Sequence, residues 1–201
     1  MSTRAMKGLL AALGREAGKA LQRPADPVAV MNEFCNAMTA RTGRPIQLVF
    51  RPFPVDVAVS GVRLDLGASS VIVVEENMAP EAQLVILGHE LWHEENGDCG
   101  HHVAGVPAAA RALSPATPDA VQHAIEQILT EQEIPRDALL AVAARAESID
   151  THEVDAETFG LLFGREVRTW MTGRYAHRPP SAATVEGRLN LSLLPRNGRI
   201  L

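Results

Sequence analysis

A short motif in an apolar stretch near the middle of the chain constrains the fold more than any other feature. It reads His-Glu-Leu-Trp-His, with histidines at His89 and His93 and with Glu90 directly after the first. Residues four apart lie on one face of an α-helix, so a helix here lets both imidazoles bind one metal ion. Glu90 then lies beside that ion as a candidate general base. A catalytic zinc site takes three protein ligands and keeps a fourth position open, so another segment must supply the third.

The best candidate for the third ligand is Glu153, in a segment whose apolar spacing predicts a second helix. Glu157 follows one turn later on the same face. In zinc hydrolases with a distal Glu ligand, an acidic residue one turn on hydrogen-bonds a ligand imidazole and fixes its tautomer. We therefore predict Glu153 as a ligand and Glu157 as the partner of His89 or His93.

Two neighbours of Glu153 are alternative ligands. His152 stands at the expected start of the helix, where its direction is poorly constrained. Asp155 would point about 160° away from Glu153 on an ideal helix. Both are therefore weaker candidates than Glu153.

A longer zinc motif, H-E-x-x-H-x-x-G-x-x-H, would recruit a third histidine just after the first two. His101 and His102 do follow the motif, but Asn96 and Cys99 occupy the places that require glycine and histidine. The metzincin pattern is therefore absent.

Taken together, the two segments resemble the ImmA/IrrE family of zinc metallopeptidases, in particular its compact actinobacterial, toxin-like branch. Members carry an H-E-L-G-H-like motif on one helix and E-x-x-A-[DNE]-x-F-A-x-x-L-like residues on a later one. The matching stretches here are LGHELWH at 87–93 and EVDAETFGLLF at 153–163. The resemblance covers roughly residues 27–171. The chain departs from the family pattern in three ways. Trp92 replaces a small glycine, and Gly160 stands where alanine is common, which we take as a minor change. The long stretch between the motifs indicates an insertion.

The resemblance implies an α+β fold with a zincin-like metallopeptidase core, in which helices pack on a small, mostly antiparallel sheet. It implies Zn²⁺ bound by His89, His93 and Glu153, with Glu90 as the catalytic base. Family members often cleave a helix-turn-helix repressor, or are encoded beside a helix-turn-helix partner as a toxin-like component. We therefore expect a zinc metallo-endopeptidase whose substrate is a protein or peptide, such as a separately encoded helix-turn-helix regulator.

Two other functions fit the same residues. The first is a non-catalytic, metal-containing regulatory module that binds a transcription-factor partner, and the bulky Trp92 keeps this open. The second is a metal-dependent hydrolase of a small molecule. Glu90 favours catalysis, because a purely structural zinc site does not need it.

Composition limits the setting in which the protein acts. The chain has 201 residues, 46% of them hydrophobic, and a formal net charge of -5. That charge disfavours direct nucleic-acid binding over a broad surface. Cys35 and Cys99 form neither a C-x-x-C pair nor a disulfide framework, and no stretch approaches the roughly 20 apolar residues of a membrane span. We expect a cytoplasmic protein.

The chain divides into three predicted parts. Residues 1–24 form a basic amphipathic helix, 25–172 the metallopeptidase domain, and 173–201 a C-terminal tail, in which Tyr175 and His177 could contact the cleft or an oxyanion. Within the domain the sequence predicts a helix capped by Asp26 and ended by Gly43, then strands at 46–50, 57–66 and 71–75. A helix that carries the metal motif begins at Pro80 and is followed by a mobile loop at 98–118. Helices at 119–131 and 136–148 belong to an insertion that ends at about 148, and the helix that carries Glu153 runs to about Met171.

Overall fold

The computed structural model describes residues 3–53, 60–97, 103–104 and 152–175. Over these residues the fold is α+β, as the sequence predicted. The elements in chain order are α1 (Thr3–Ala17), α2 (Pro27–Thr42), β1 (Ile46–Arg51), β2 (Gly61–Asp65), β3 (Ser70–Glu75), α3 (Pro80–Asn96), the two-residue β4 (Val103–Ala104), α4 (His152–Val167) and a 3₁₀ turn (Arg168–Trp170).

The bounds of α2 are those that its sequence signals predict. The side chain of Asp26 accepts hydrogen bonds from the backbone N–H groups of Val28 and Ala29, which would otherwise lack helical partners. Pro27 follows as the first helical residue. The helix ends at Gly43, whose φ of 74° is left-handed and suits glycine. Local capping chemistry is therefore enough to place this helix.

The sheet is mixed, with strand order β1-β3-β2-β4. β2 and β3 form an antiparallel hairpin, and β4 pairs antiparallel with the start of β2. β1 runs parallel to β3, with Ile46 opposite Ser70, so the expectation of a mostly antiparallel sheet holds for β2–β4 but misses this pairing. Gly61 is the first residue of β2 and pairs with Val74.

One hydrophobic core joins all four described helices to the sheet. The stripe Met6, Leu9 and Leu13 of α1 is buried in it, so the apolar face of that helix packs against the domain. Trp92 of α3 is also buried, with its ring centroid 5.1 Å from that of Phe159 on α4. The indole therefore fills the space beneath a neighbouring helix.

Several predictions concern segments that lie outside the described residues. These are the loop at 98–118 apart from β4, the helices at 119–131 and 136–148, the first residues of the strand at 57–66, and the tail after Tyr175. α4 is described and ends at Val167, short of the expected Met171, where the 3₁₀ turn takes over. Within the described part of the chain, no helix has the length and apolarity to cross a membrane.

Candidate metal centre

Helix α3 brings the two motif histidines together. One turn separates them, both side chains are buried, and their Nε2 atoms are 3.0 Å apart. The rings meet edge to face, with centroids 4.7 Å apart. The i, i+4 spacing of the sequence therefore becomes a pair of nitrogen donors directed at one point, as the motif predicts.

Glu153 lies in the first turn of α4 and supplies the oxygen donors. Its Oε1 is 3.4 Å from Nε2 of His93, and its Oε2 is 3.5 Å from Nε2 of His89. Both separations are longer than the 2.7–3.2 Å of a good N–H···O hydrogen bond. The two imidazoles and the carboxylate form a buried group that could hold a metal ion.

Three glycines let α3 and α4 approach closely enough to assemble this group. A Cβ on Gly88 would lie 2.7 Å from Cβ of Phe163, and one on Gly160 would lie 2.6 Å from the backbone oxygen of Val85. A Cβ on Gly164 would lie 2.6 Å from a methyl group of Val85. These distances are shorter than real Cβ contacts, so even alanine would push the helices apart. Gly160, which we took as a minor departure, is therefore a point of close contact between α3 and α4.

Glu90 lies between the two histidines in sequence and is fully buried. Neither of its carboxylate oxygens has a hydrogen-bond partner among the residues that the structure describes. Burial raises the pKa of this carboxyl well above its usual value; the positive charge of Arg63 acts against the rise, and the negative charge of Glu153 adds to it. A carboxyl group in these surroundings can exchange a proton with a neighbouring group.

A buried ion-pair network lies behind α3, and sequence reasoning missed it. Glu94 accepts hydrogen bonds from Nη1 of Arg63 at 3.0 Å and from the Ser70 hydroxyl at 2.7 Å. Arg44 approaches the other oxygen of Glu94 at 3.3 Å. The signal in the sequence was an arginine at position 63, directly between the apolar residues Val62 and Leu64 of β2. The network ties the residue after His93 to β2 and β3.

The other predicted site residues are less closely tied to this group. Glu157 lies one turn after Glu153 and is half-buried, and its bond to a ligand histidine stays a prediction. Tyr175 follows the far end of α4, where its ring lies 4.4 Å from the guanidinium of Arg168. About 22 Å of helix separates Arg168 from Glu153 at 1.5 Å per residue, so the structure does not bring Tyr175 to the site. His177 lies outside the described residues.

The structure describes two of the four alternative ligands, both on α4. Asp155 is on α4 and is half-buried, while His152 is the first residue of that helix. His101 and His102 lie outside the described residues. Among the residues that the structure describes, Glu153 is the donor that joins the two motif histidines in the buried group.

Comparison of the chain with protein families, with curated proteins and with solved structures found no match. The resemblance to the ImmA/IrrE family therefore rests on the two motifs and remains a prediction.

Proposed function

We propose that this protein is a zinc-dependent metallo-endopeptidase of the H-E-x-x-H plus distal Glu type. The observation that carries the proposal is the convergence of His89, His93 and Glu153 from two helices, together with the burial of Glu90, which follows His89 in the chain and interacts electrostatically with Glu153. A structural zinc site has no need of that fourth side chain, whereas a hydrolase needs a base there.

The spacing of the donors supports zinc. Zn–N and Zn–O bonds of about 2.0–2.1 Å at tetrahedral angles place two donor atoms about 3.3 Å apart. The two nitrogens are 3.0 Å apart, and each lies 3.4 or 3.5 Å from a different oxygen of the Glu153 carboxylate, separations close to that value. Two imidazoles and one carboxylate are also a donor set that zinc accepts in catalytic sites.

The roles of the residues follow from their positions. His89, His93 and Glu153 would hold the ion. When bound, zinc supplies Lewis-acid polarisation of a carbonyl oxygen and activates water at neutral pH. Glu90 would accept a proton from the attacking water and pass it to the leaving amine. These are the groups that peptide-bond hydrolysis requires.

The sheet edge supports a peptide as the substrate. β4 lies at the end of the strand order, close to α3, and no strand pairs with its outer side within the described residues. An extended peptide can add to such an edge through backbone hydrogen bonds. We propose a protein substrate in the cytoplasm, such as a separately encoded helix-turn-helix regulator in a regulatory or toxin-antitoxin-like system.

Metal content is the first test. Elemental analysis should find about one zinc per chain in the wild type and almost none in Glu153→Ala. Asp155→Ala is the matched control, because it removes a carboxylate two residues away on the same helix and should keep the metal. Full zinc in Glu153→Ala, or loss of zinc only in Asp155→Ala, would overturn the assigned ligand set.

Turnover is the second test. Zinc-loaded protein is incubated with a helix-turn-helix regulator encoded beside it, and cleavage is followed by mass spectrometry. Glu90→Gln should keep its zinc and leave the regulator intact. Equal cleavage by Glu90→Gln and the wild type would refute the role of Glu90, and an intact regulator with both proteins would argue against proteolysis of that partner.

A non-catalytic, metal-containing binding module is the second candidate, and one observation favours it. His93 and Glu90 are 0% exposed, and His89 and Glu153 are only 5% and 8% exposed, so a bound ion would be largely enclosed. Enclosure is typical of structural zinc. This candidate requires that Glu90→Gln bind the partner as the wild type does and that neither protein cleave it.

A further inference from the structure

A groove between α1 and α4 lies away from the metal centre. It has a volume of about 810 Å³. Leu10, Leu162 and Trp170 contribute its apolar lining, and these side chains are half-buried against the core. On an ideal helix, Leu162 is about 180° around α4 from Glu153. The groove and the metal donors are therefore on opposite sides of α4.

Five basic residues but only one acidic residue are among the described residues that line this groove. The basic residues are Lys7, Arg15, Lys19, Arg23 and Arg165, and the acidic one is Glu166. The chain as a whole carries a net charge of -5. Lys19 forms an ion pair with Glu16 at 2.6 Å, and Arg165 forms one with Glu166 at 2.8 Å. Lys7, Arg15 and Arg23 therefore carry the local excess of positive charge, which would attract a negatively charged ligand.

The sequence of α1 explains how one helix serves both the core and the groove. Met6, Leu9 and Leu13 form the buried stripe, while Lys7 and Gly14 lie on the side that lines the groove. A Cβ on Gly14 would lie 3.6 Å from the indole ring of Trp170. The absence of a side chain there lets the indole pack close to the backbone of α1 at the base of the groove.

The lining favours a peptide over a nucleic acid. The guanidinium of Arg23 lies 3.2 Å from the centroid of the Trp170 ring, and Phe34 packs against the same indole at 5.2 Å. Base stacking needs an aromatic face that is free, and these contacts cover this one. Aliphatic side chains such as Leu10 and Leu162 suit apolar side chains of a ligand instead.

We infer that this groove binds an acidic, leucine-rich peptide segment of a partner protein, with its apolar side chains on Leu10 and Leu162 and its carboxylates beside Lys7 and Arg15. The inference does not depend on the proposed proteolysis. Since the groove is on the other side of α4 from the metal donors, removal of metal with a chelator should leave binding unchanged.

Fluorescence anisotropy tests the inference with a fluorescein-labelled synthetic helix of 15 residues, rich in Glu and Leu. The whole protein should bind this peptide, and affinity should fall as salt rises, because exposed charges are screened. A peptide with Lys in place of every Glu should bind at least tenfold more weakly. Failure of the acidic peptide to bind, or equal binding of the two peptides, would overturn the inference.

Matched variants locate the binding surface. Lys7→Glu and Arg15→Glu should each weaken binding about threefold, and the double variant about tenfold, as expected for exposed charge pairs. Arg4→Glu is the control, because it makes the same charge change at an exposed position of α1 that does not line the groove. Circular dichroism checks that all variants are folded. An equal loss in Arg4→Glu would place binding elsewhere.

Competition by single-stranded DNA provides a further check. An oligonucleotide of 15 thymidines should displace the peptide at least tenfold less effectively than unlabelled acidic peptide does. Displacement with equal potency would mean that the groove binds polyanions in general, and the peptide assignment would be rejected.

Discussion

Replacing Gly160 by alanine tests whether the close approach of α3 and α4 builds the metal centre. The new Cβ would lie 2.6 Å from the backbone oxygen of Val85, which is 0.8 Å short of an ordinary 3.4 Å contact. It would also lie 3.2 Å from the backbone nitrogen of His89, a metal-ligand candidate. Neither neighbour is the end of a flexible side chain, so the helices themselves must move.

Two effects on stability oppose each other in Gly160→Ala. Overpacking of a well-packed contact costs about 1–3 kcal/mol. Alanine in place of glycine within a helix contributes about 0.5–1 kcal/mol in the favourable direction. We expect a net loss of about 1–2 kcal/mol in the free energy of unfolding, measured by urea denaturation of the metal-free protein.

Gly8→Ala is the matched control, because Gly8 is also helical but a Cβ there would meet nothing within 4 Å. This variant should be more stable than the wild type by about 0.5–1 kcal/mol, since only the helix propensity changes. Replacement of glycine by alanine should therefore lower the free energy of unfolding at position 160 and raise it at position 8. Equal stabilisation in both variants would refute the close-contact argument.

Zinc affinity gives a second measure of Gly160→Ala. Functional metal sites need donor distances within about 0.2 Å of their preferred values, and a shift of α4 moves Glu153 relative to both histidines. Competition with a coloured chelator should show at least a tenfold loss of affinity, with no change in Gly8→Ala. If Gly160→Ala is less stable but binds zinc as tightly as the wild type, the close packing of α3 and α4 does not control zinc binding, and the argument is rejected.

Three further predictions concern other parts of the fold. Arg63→Ala should lower the free energy of unfolding by about 3–5 kcal/mol in urea, because the carboxylate of Glu94 would stay buried after losing one of its partners; joint replacement of both residues by apolar ones should cost less. Burial raises the pKa of the Cys35 thiol from 9.0 to about 12, so the folded state resists ionisation that the unfolded chain allows. Stability should therefore fall as pH rises between those values, by up to about 1.4 kcal/mol per pH unit, and Cys35→Ala should fall less steeply when urea unfolding is compared at pH 8 and pH 10.5. Asp26→Ala removes the cap of α2 and should cost about 0.5–2 kcal/mol by thermal denaturation, and an unchanged midpoint would contradict the capping role.

Features with a short range along the chain could be read from the sequence. The i, i+4 spacing places His89 and His93 on one face of any helix that contains them, whatever surrounds that helix. Asp26 and Gly43 bound α2 through hydrogen bonds and backbone angles within a few residues. The strands at β1 and β3 follow from their composition in the same way. These predictions succeeded because the interactions that decide them are local.

Tertiary structure decided how the segments meet. The parallel pairing of β1 with β3 depends on the order and direction of the strands in the sheet, and strand composition specifies neither. The buried contact of Arg63 with Glu94 joins residues 31 apart in the chain. The position of Tyr175 likewise depends on the length and direction of α4.

At Gly160 the sequence motif and the tertiary structure lead to different conclusions. Compared with the alanine that is common in the family motif, it lacks one methyl group, and the sequence alone gives no reason to expect a large effect. In three dimensions that methyl group would enter the space occupied by the backbone of α3. The sequence by itself determined which side chains could bind a metal, whereas the distance between two helices determines whether those side chains meet, because Glu153 approaches the histidines only as closely as the backbones of α3 and α4 allow.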